Sequence, residues 1–350
     1  MTKRYKACLI GCGRMGATID DEVRDHPQSF RWLPYSHAAG YSASEHTDLV
    51  AVSDAIPEKV KTIQQRYNVP NGYTDYREMI EKEKPDIVSI ATRPATHAEM
   101  TVFAAENGVK GIYCEKPLCC SMAEADAMLE ACVKHGVKFN YGTQRRYTPL
   151  YQKMRELIDN GELGDIQAVI GHVGVGSAQW SHTHAADMLL YLARDSEIAY
   201  VQADVNAAPS DFVGDRLDGD PGIPMGYARF KNGIRGYLLA STGYEFEVSG
   251  SKGKLRTYND SVACQWRKAG ERNILAEVPF PEVVRRSGTV GAIEDIVAAI
   301  EEDRETTGNI RLACRSQEMI LGFVESQRQN GAKVPLPLEN RQLYVGRRDW

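Results

Sequence analysis

Residues 7–10, Ala-Cys-Leu-Ile, run without a break into Gly11-Cys12-Gly13-Arg14-Met15-Gly16, and this junction of an apolar run with a three-glycine loop restricts the fold more than any other stretch. Such spacing suits a buried strand that turns sharply into a helix. Gly11 allows the tight turn, Gly13 leaves the backbone bare for a pyrophosphate, and Gly16 lets the helix pack closely on the strand. The helix amides then face the anion, with Arg14 and Met15 in the same loop. The implication is a dinucleotide site.

A second requirement of such a site is an acidic residue at the end of the next strand, placed to accept hydrogen bonds from the adenosine ribose. Asp54, after the apolar segment 49–53, meets it. A carboxylate there repels a 2′-phosphate, and no Arg or Lys follows before Lys59, so the pattern favours NAD over NADP. Between Gly16 and Asp54 lie 37 residues, where about 20 is usual. Residues 19–37, with His26, Phe30, Trp32 and Tyr35, therefore read as an inserted loop. Two readings of it stay open: a wall over cofactor or substrate, or a surface excursion packed by its own aromatics.

A chain of 350 residues exceeds the usual size of one domain, and two are expected. The net charge of −5 does not suggest a surface built to neutralise phosphates, so nucleic acid is not an expected partner. The apolar run at 7–11 is too short for a signal-peptide core or a membrane span, and a cytoplasmic protein without membrane association is expected. Its eight cysteines (8, 12, 114, 119, 120, 132, 264 and 314) form no Cys-x-x-Cys pair and read as reduced thiols.

Short aliphatic runs at 7–10, 49–53, 87–91, 111–114 and 138–141 read as strands buried on both faces. Segments 57–67, 95–106 and 122–135 carry apolar residues at helical spacing between them. This alternation predicts an α/β domain over 1–145, a doubly wound parallel sheet. Beyond Pro149 the pattern changes to a helix, then alternating segments at 167–173, 225–230, 233–241, 245–249 and 254–258, with a hairpin corner at Lys231-Asn232-Gly233. Helices are expected from near Thr183, over 290–303 and over 309–330. Residues 146–350 are thus predicted to form an α+β domain on a mostly antiparallel sheet.

At the end of the 111–114 segment stands Cys114-Glu115-Lys116-Pro117-Leu118, with a lysine at the edge where doubly wound sheets bind ligands. Together with Gly11 to Gly16, Asp54, the run Ala91-Thr92-Arg93-Pro94-Ala95-Thr96-His97 and the ending Val334-Pro335-Leu336-Pro337-Leu338, this resembles the Gfo/Idh/MocA family (glucose-fructose oxidoreductase and inositol dehydrogenase) over nearly the whole chain. Gly250-Ser251-Lys252-Gly253-Lys254-Leu255 is similar to that family's turn in its C-terminal sheet. The resemblance implies a Rossmann domain, an open second-domain sheet through which copies form a homodimer or homotetramer, and an NAD-dependent oxidoreductase acting on a sugar, sugar derivative or cyclitol. An alternative stays open, since some relatives use bound NAD catalytically: a redox-assisted lyase, isomerase or glycosidase with no net NADH.

By the same resemblance, Lys116 takes the place beside the nicotinamide and the reacting carbon, where an ammonium stabilises a developing alkoxide. Thr92, Arg93, His97, Glu115 and Gln144 are implied along the cofactor, and Arg145 toward substrate. The family opens a second-domain helix with Asp-x-x-x-His; here Gln179-Trp180-Ser181-His182-Thr183-His184 places His184 at the motif histidine and Trp180 where the carboxylate usually stands. His184 is the expected acid or base, with His182 able to share the work and Trp180 offering a platform for a sugar ring. No metal is expected, because side chains two apart near a helix start diverge. His26, His135 and His172 read as packing or surface residues.

Overall fold

In the computed structural model, which describes residues 3–350, the aliphatic runs become strands because each is buried on both faces. The first unit of the chain comprises residues up to Cys119, Glu124–Tyr147 and Arg286–Ala313. Its strands are β1 (Tyr5–Ile10), β2 (Thr47–Ser53), β3 (Asn71–Tyr73), β4 (Ile87–Ile90), β5 (Gly111–Cys114) and β6 (Lys138–Tyr141). They form one parallel sheet in the order β3-β2-β1-β4-β5-β6. Every residue of β4 and β5 is buried, as a sheet covered by helices on both sides requires. Strand order reverses between β1 and β4, so their carboxyl ends diverge into the crevice where this topology binds ligands.

Pro57–Tyr67 and Pro94–Glu106 each start with proline in the first turn, where its missing amide costs nothing. Asn68 ends the former in a left-handed conformation. Strand β3 and the helix Tyr76–Glu83, which the sequence pattern does not predict, extend the sheet beyond β2. Helix Gly288–Glu302 also belongs to this unit. A second-domain span of 146–350 places it elsewhere; its apolar stripe of Ala292, Ile293, Ile296 and Val297 instead finds partners in Tyr5, Ala7, Ile87 and Tyr113 of the first unit. Gly111 makes room for it, since a Cβ there would stand 2.5 Å from the Ile296 side chain.

The second unit comprises Cys120–Ala123, Thr148–Arg285 and Cys314–Trp350. Its strands are β7 (Ile166–Val173), β8 (Ile198–Asp204), β9 (Phe212–Val213), β10 (Arg216–Asp218), β11 (Met225–Phe230), β12 (Arg235–Ala240), β13 (Tyr244–Gly250), β14 (Gly253–Tyr258), β15 (Ala263–Ala269), β16 (Leu275–Val278), β17 (Val334–Pro335) and β18 (Tyr344–Gly346). Nine of them form a sheet in the order β16-β15-β14-β13-β7-β12-β11-β8-β17, antiparallel except for the β7–β12 pair. Helices Thr183–Leu192 and Ile310–Arg328 lie on one face, where Gly236 and Gly226 admit Leu189 and Phe323. Tyr200, Tyr227 and Tyr237 form a half-exposed row on the other, with ring centroids 5.9 and 5.3 Å apart. Strands β18-β10-β9 make a small separate sheet. Among the described residues no helix is long and apolar enough to cross a membrane.

Candidate active site

Each glycine of the 11–16 loop has its own reason. Gly11 adopts φ +97°, in the left-handed region, and a Cβ there would lie 2.6 Å from the Ala91 carbonyl oxygen. A Cβ on Gly16 would stand 1.9 Å from the Gly11 carbonyl, so the turn and the helical segment behind it can approach only without side chains. Gly13 differs: its conformation is extended, and a Cβ there would meet nothing within 4 Å. The protein alone gives no reason for glycine at 13, whereas a pyrophosphate laid against the loop does. Asp54 accepts from the Cys12 amide at 2.9 Å through Oδ2 and from the Ile56 amide at 3.0 Å through Oδ1, which fixes its carboxylate beside the loop. The residues therefore fit a dinucleotide, with the loop for the pyrophosphate and Asp54 for the ribose hydroxyls. Arg14 points to the inserted segment, its guanidinium held by both carboxylate oxygens of Glu22 at 2.7 and 2.8 Å.

At the carboxyl end of β5, burial pushes the Glu115 carboxyl up, but the hydrogen bond from His37 and the charge of Lys116 outweigh it and hold it below the usual range. His37 Nε2 lies 3.1 Å from Oε1, while Nδ1 meets Ser89 Oγ and the ring stacks on Tyr113 at 4.2 Å. The other carboxylate oxygen accepts from the Lys116 amide at 3.2 Å. Glu115 is thus withdrawn beneath the sheet edge as a support, and Lys116 is half-buried above it. His97 also differs from a cofactor contact, being fully buried. Its Nδ1 lies 2.9 Å from the Pro117 carbonyl oxygen and its Nε2 3.3 Å from that of Thr92. It ties the loop after β4 to the loop carrying Lys116, because those carbonyls have no strand partner there. Burial pulls its pKa down. Thr92 is half-buried with its hydroxyl 2.8 Å from Thr96, and Arg93 is exposed at the start of its helix.

The inserted segment is anchored rather than loose. Asp20, buried, accepts from the amides of Tyr35 and Ser36 at 2.8 and 3.0 Å. His26, Trp32 and Tyr35 pack ring on ring, with centroids 5.2 and 6.4 Å apart. Ser287 and Thr289 donate to the carbonyls of Pro34 and Tyr35. The insertion ends one residue earlier than expected, since His37 opens the helix His37–Ala43 behind the cap residue Ser36. Gln144, Arg145 and Arg146 form a short helical turn after β6, Arg145 half-buried and Arg146 fully so.

In the second unit, His184 is the second residue of the helix Thr183–Leu192 and half-exposed. His182 is buried, and its Nε2 accepts from the Gly176 amide at 3.3 Å. Burial drives its pKa down to about 4, so it is a neutral brace for the 174–176 turn. That placement does not suit the substrate contact expected of it. Trp180 is half-exposed, 6.3 Å from Trp350 between ring centroids. The carboxylate of this corner is Asp220, which accepts from the amides of Gln179 at 2.7 Å and Trp180 at 2.9 Å. Burial raises its carboxyl above the ordinary value. Among the described residues no three His, Cys, Asp or Glu side chains gather as a metal site. His37 and Asp220 are the contributors that sequence reasoning missed; the only signal for His37 was Ser36, a helix-capping residue immediately before it.

Residues 5–143 match the model of an oxidoreductase family with an NAD-binding Rossmann fold. An uncharacterized oxidoreductase of Bacillus subtilis is 31% identical over 164 residues, 47% of this chain and 42% of that protein. A myo-inositol 2-dehydrogenase of Thermotoga maritima is 27% identical over 238 residues, 63% of this chain and 70% of its own. The chain thus spans less than half the length of the first of these relatives. In fold it is similar to levoglucosan dehydrogenase solved with NADH and levoglucosan, at a TM-score of 0.74 and 22% identity over 96% of this chain and 100% of that one. The matched region holds the glycine loop, Asp54 and Glu115-Lys116-Pro117, so over residues 5–143 the chain is similar to the Gfo/Idh/MocA oxidoreductase family.

Proposed function

We propose that the protein is an NAD-dependent oxidoreductase that removes hydride from a carbinol carbon of a sugar, sugar derivative or cyclitol. The observation that carries this reading is the meeting, at the carboxyl edge of one parallel sheet, of the bare backbone at Gly13, the fixed carboxylate of Asp54 and the supported Lys116. When bound, NAD supplies a hydride acceptor. Lys116 hydrogen-bonds the substrate hydroxyl and stabilises the negative charge that develops on its oxygen. His184 takes the hydroxyl proton. Arg145 and Trp180 contact substrate, the first as a fork of donors and the second as an apolar face for ring C–H groups. Asp54 supports NAD over NADP, because a 2′-phosphate beside it would place like charges together. Names among the relatives, a myo-inositol and a levoglucosan dehydrogenase, support a polyhydroxylated substrate. The tyrosine row on the open sheet face is the surface we assign to association of copies, and a chain of eight cysteines without a Cys-x-x-Cys pair accords with a cytoplasmic protein.

A screen of polyols, amino sugars and anhydrosugars tests this, followed by NADH absorbance and product mass together. One NADH per product is expected. A second reading is favoured by Trp180 standing where the family has a carboxylate: transient oxidation acidifies a neighbouring C–H, a bond is cleaved, and the hydride returns. Product without NADH accumulation would select that reading and discard the first.

A further inference from the structure

The inserted segment ends at Tyr35, whose backbone is held from both sides: the amide donates to Asp20, and the carbonyl accepts from Thr289 at 2.8 Å. The same Thr289 hydroxyl lies 3.1 Å from Gln144 Oε1, which turns the Gln144 amide group toward the Tyr35 phenol as a hydrogen-bonding partner. Trp32 stacks behind the phenol at an interplanar angle of 19°. One Thr289 hydroxyl thus joins the Tyr35 backbone to the side chain of Gln144, the residue before Arg145. Burial raises the phenol's pKa, so it stays neutral and able both to donate and to accept. A surface excursion packed only on itself would not need this double anchoring, nor a polar tip turned inward.

We infer that Tyr35 is a substrate-positioning residue: the inserted segment is a fixed wall that brings its phenol to Gln144, and through that side chain sets the 144–145 turn against which a polyhydroxylated substrate is seated. This rests on the function proposed above. The wall is preformed, with no hinge, because Asp20, Ser287 and Thr289 hold 34–36 in place before any ligand arrives. Its chemistry suits a neutral ligand rich in hydroxyls, which can exchange hydrogen bonds with the Gln144 amide that the phenol holds in place.

The test compares the full-length protein with Tyr35→Phe, Gln144→Leu and the double variant. Two readouts are taken: binding of the sugar and polyol panel to the NADH-loaded protein, and turnover with NAD. The expected result is about a tenfold loss in kcat/KM, mostly through KM, for either single variant, the size of one hydrogen bond to an uncharged partner. NAD affinity of Tyr35→Phe should stay within about twofold, and the double variant should be no worse than Gln144→Leu alone, as for residues acting in series. Equal binding and turnover in Tyr35→Phe and the parent would overturn the role of Tyr35 while leaving the oxidoreductase reading intact. So would a matching loss of NAD affinity or melting temperature, which marks a merely structural residue. Ligand binding to the parent but not to Tyr35→Phe, without turnover in either, would uphold the positioning role and reject the activity. If no member of the panel binds or reacts with the parent, both fall.

Discussion

His37 Nε2 lies 3.1 Å from Glu115 Oε1, and neither side chain is more than 5% exposed. Because an ionised carboxylate only accepts, this nitrogen carries the proton. Removing one partner of a buried pair strands the other, at a cost of about 3–5 kcal/mol. His37→Phe keeps a ring on Tyr113 but leaves the carboxylate alone. It should lose about 3 kcal/mol in urea denaturation, part of which Glu115→Gln in the same background recovers. A loss below about 0.5 kcal/mol would show that the pair does not hold the end of β5.

The two later glycines of the loop separate folding from cofactor binding. Gly16→Ala drives a methyl group into the Gly11 carbonyl and should lower the melting temperature by several degrees. Gly13→Ala has open space and an ordinary extended backbone, so thermal stability should be unchanged. NAD binding by calorimetry should nevertheless weaken about tenfold or more, since the methyl group occupies the ground of the pyrophosphate. Unchanged NAD affinity in Gly13→Ala would remove that assignment.

Lys116→Ala should lower kcat by two or more orders of magnitude, the size of a lost charge stabiliser in a transition state. NAD affinity, measured by fluorescence quenching, should change by less than a few fold. Near-normal turnover would take Lys116 out of the mechanism.

Acid should destabilise the second unit through His182. Its folded pKa of about 4 lies below its unfolded value of about 6.5. Between the two the unfolded chain binds the additional proton, so this stability is present above pH 6.5 and is lost as pH falls toward 4. The loss amounts to about 2 kcal/mol between pH 6.5 and 5. His182→Gln, which cannot titrate, should flatten that limb of a stability–pH curve; an unchanged slope would place the acid sensitivity elsewhere.

The first sheet was legible wherever strands are buried on both faces. Segments 111–114 and 138–141 are read to the residue, whereas β3 is only Asn-Gly-Tyr at an edge and carries no apolar run. In the second unit β15 stayed hidden because Trp266 is its one buried residue, between Gln265 and Arg267. In the candidate site, the glycine loop and Glu115-Lys116-Pro117 are contiguous and so visible. His37 stayed invisible because its partner is 78 residues away. Asp220 stands 40 residues beyond the Trp180 backbone it holds, and nothing in the local pattern joins them. His182 and His97 were seen as histidines, but their burial decides their roles and depends on chain segments brought in from elsewhere.

Helix Gly288–Glu302 is made after most of the second unit, yet its apolar stripe covers Tyr5, Ala7, Ile87 and Tyr113. During synthesis the nucleotide-binding half must therefore wait, one face of its sheet uncovered, while well over a hundred further residues emerge. A fragment ending near residue 147 would keep the glycine loop, Asp54 and Lys116 and still carry a bare aromatic face, prone to aggregate. The two halves of this chain are interleaved in time, and the first is completed only after most of the second has been made.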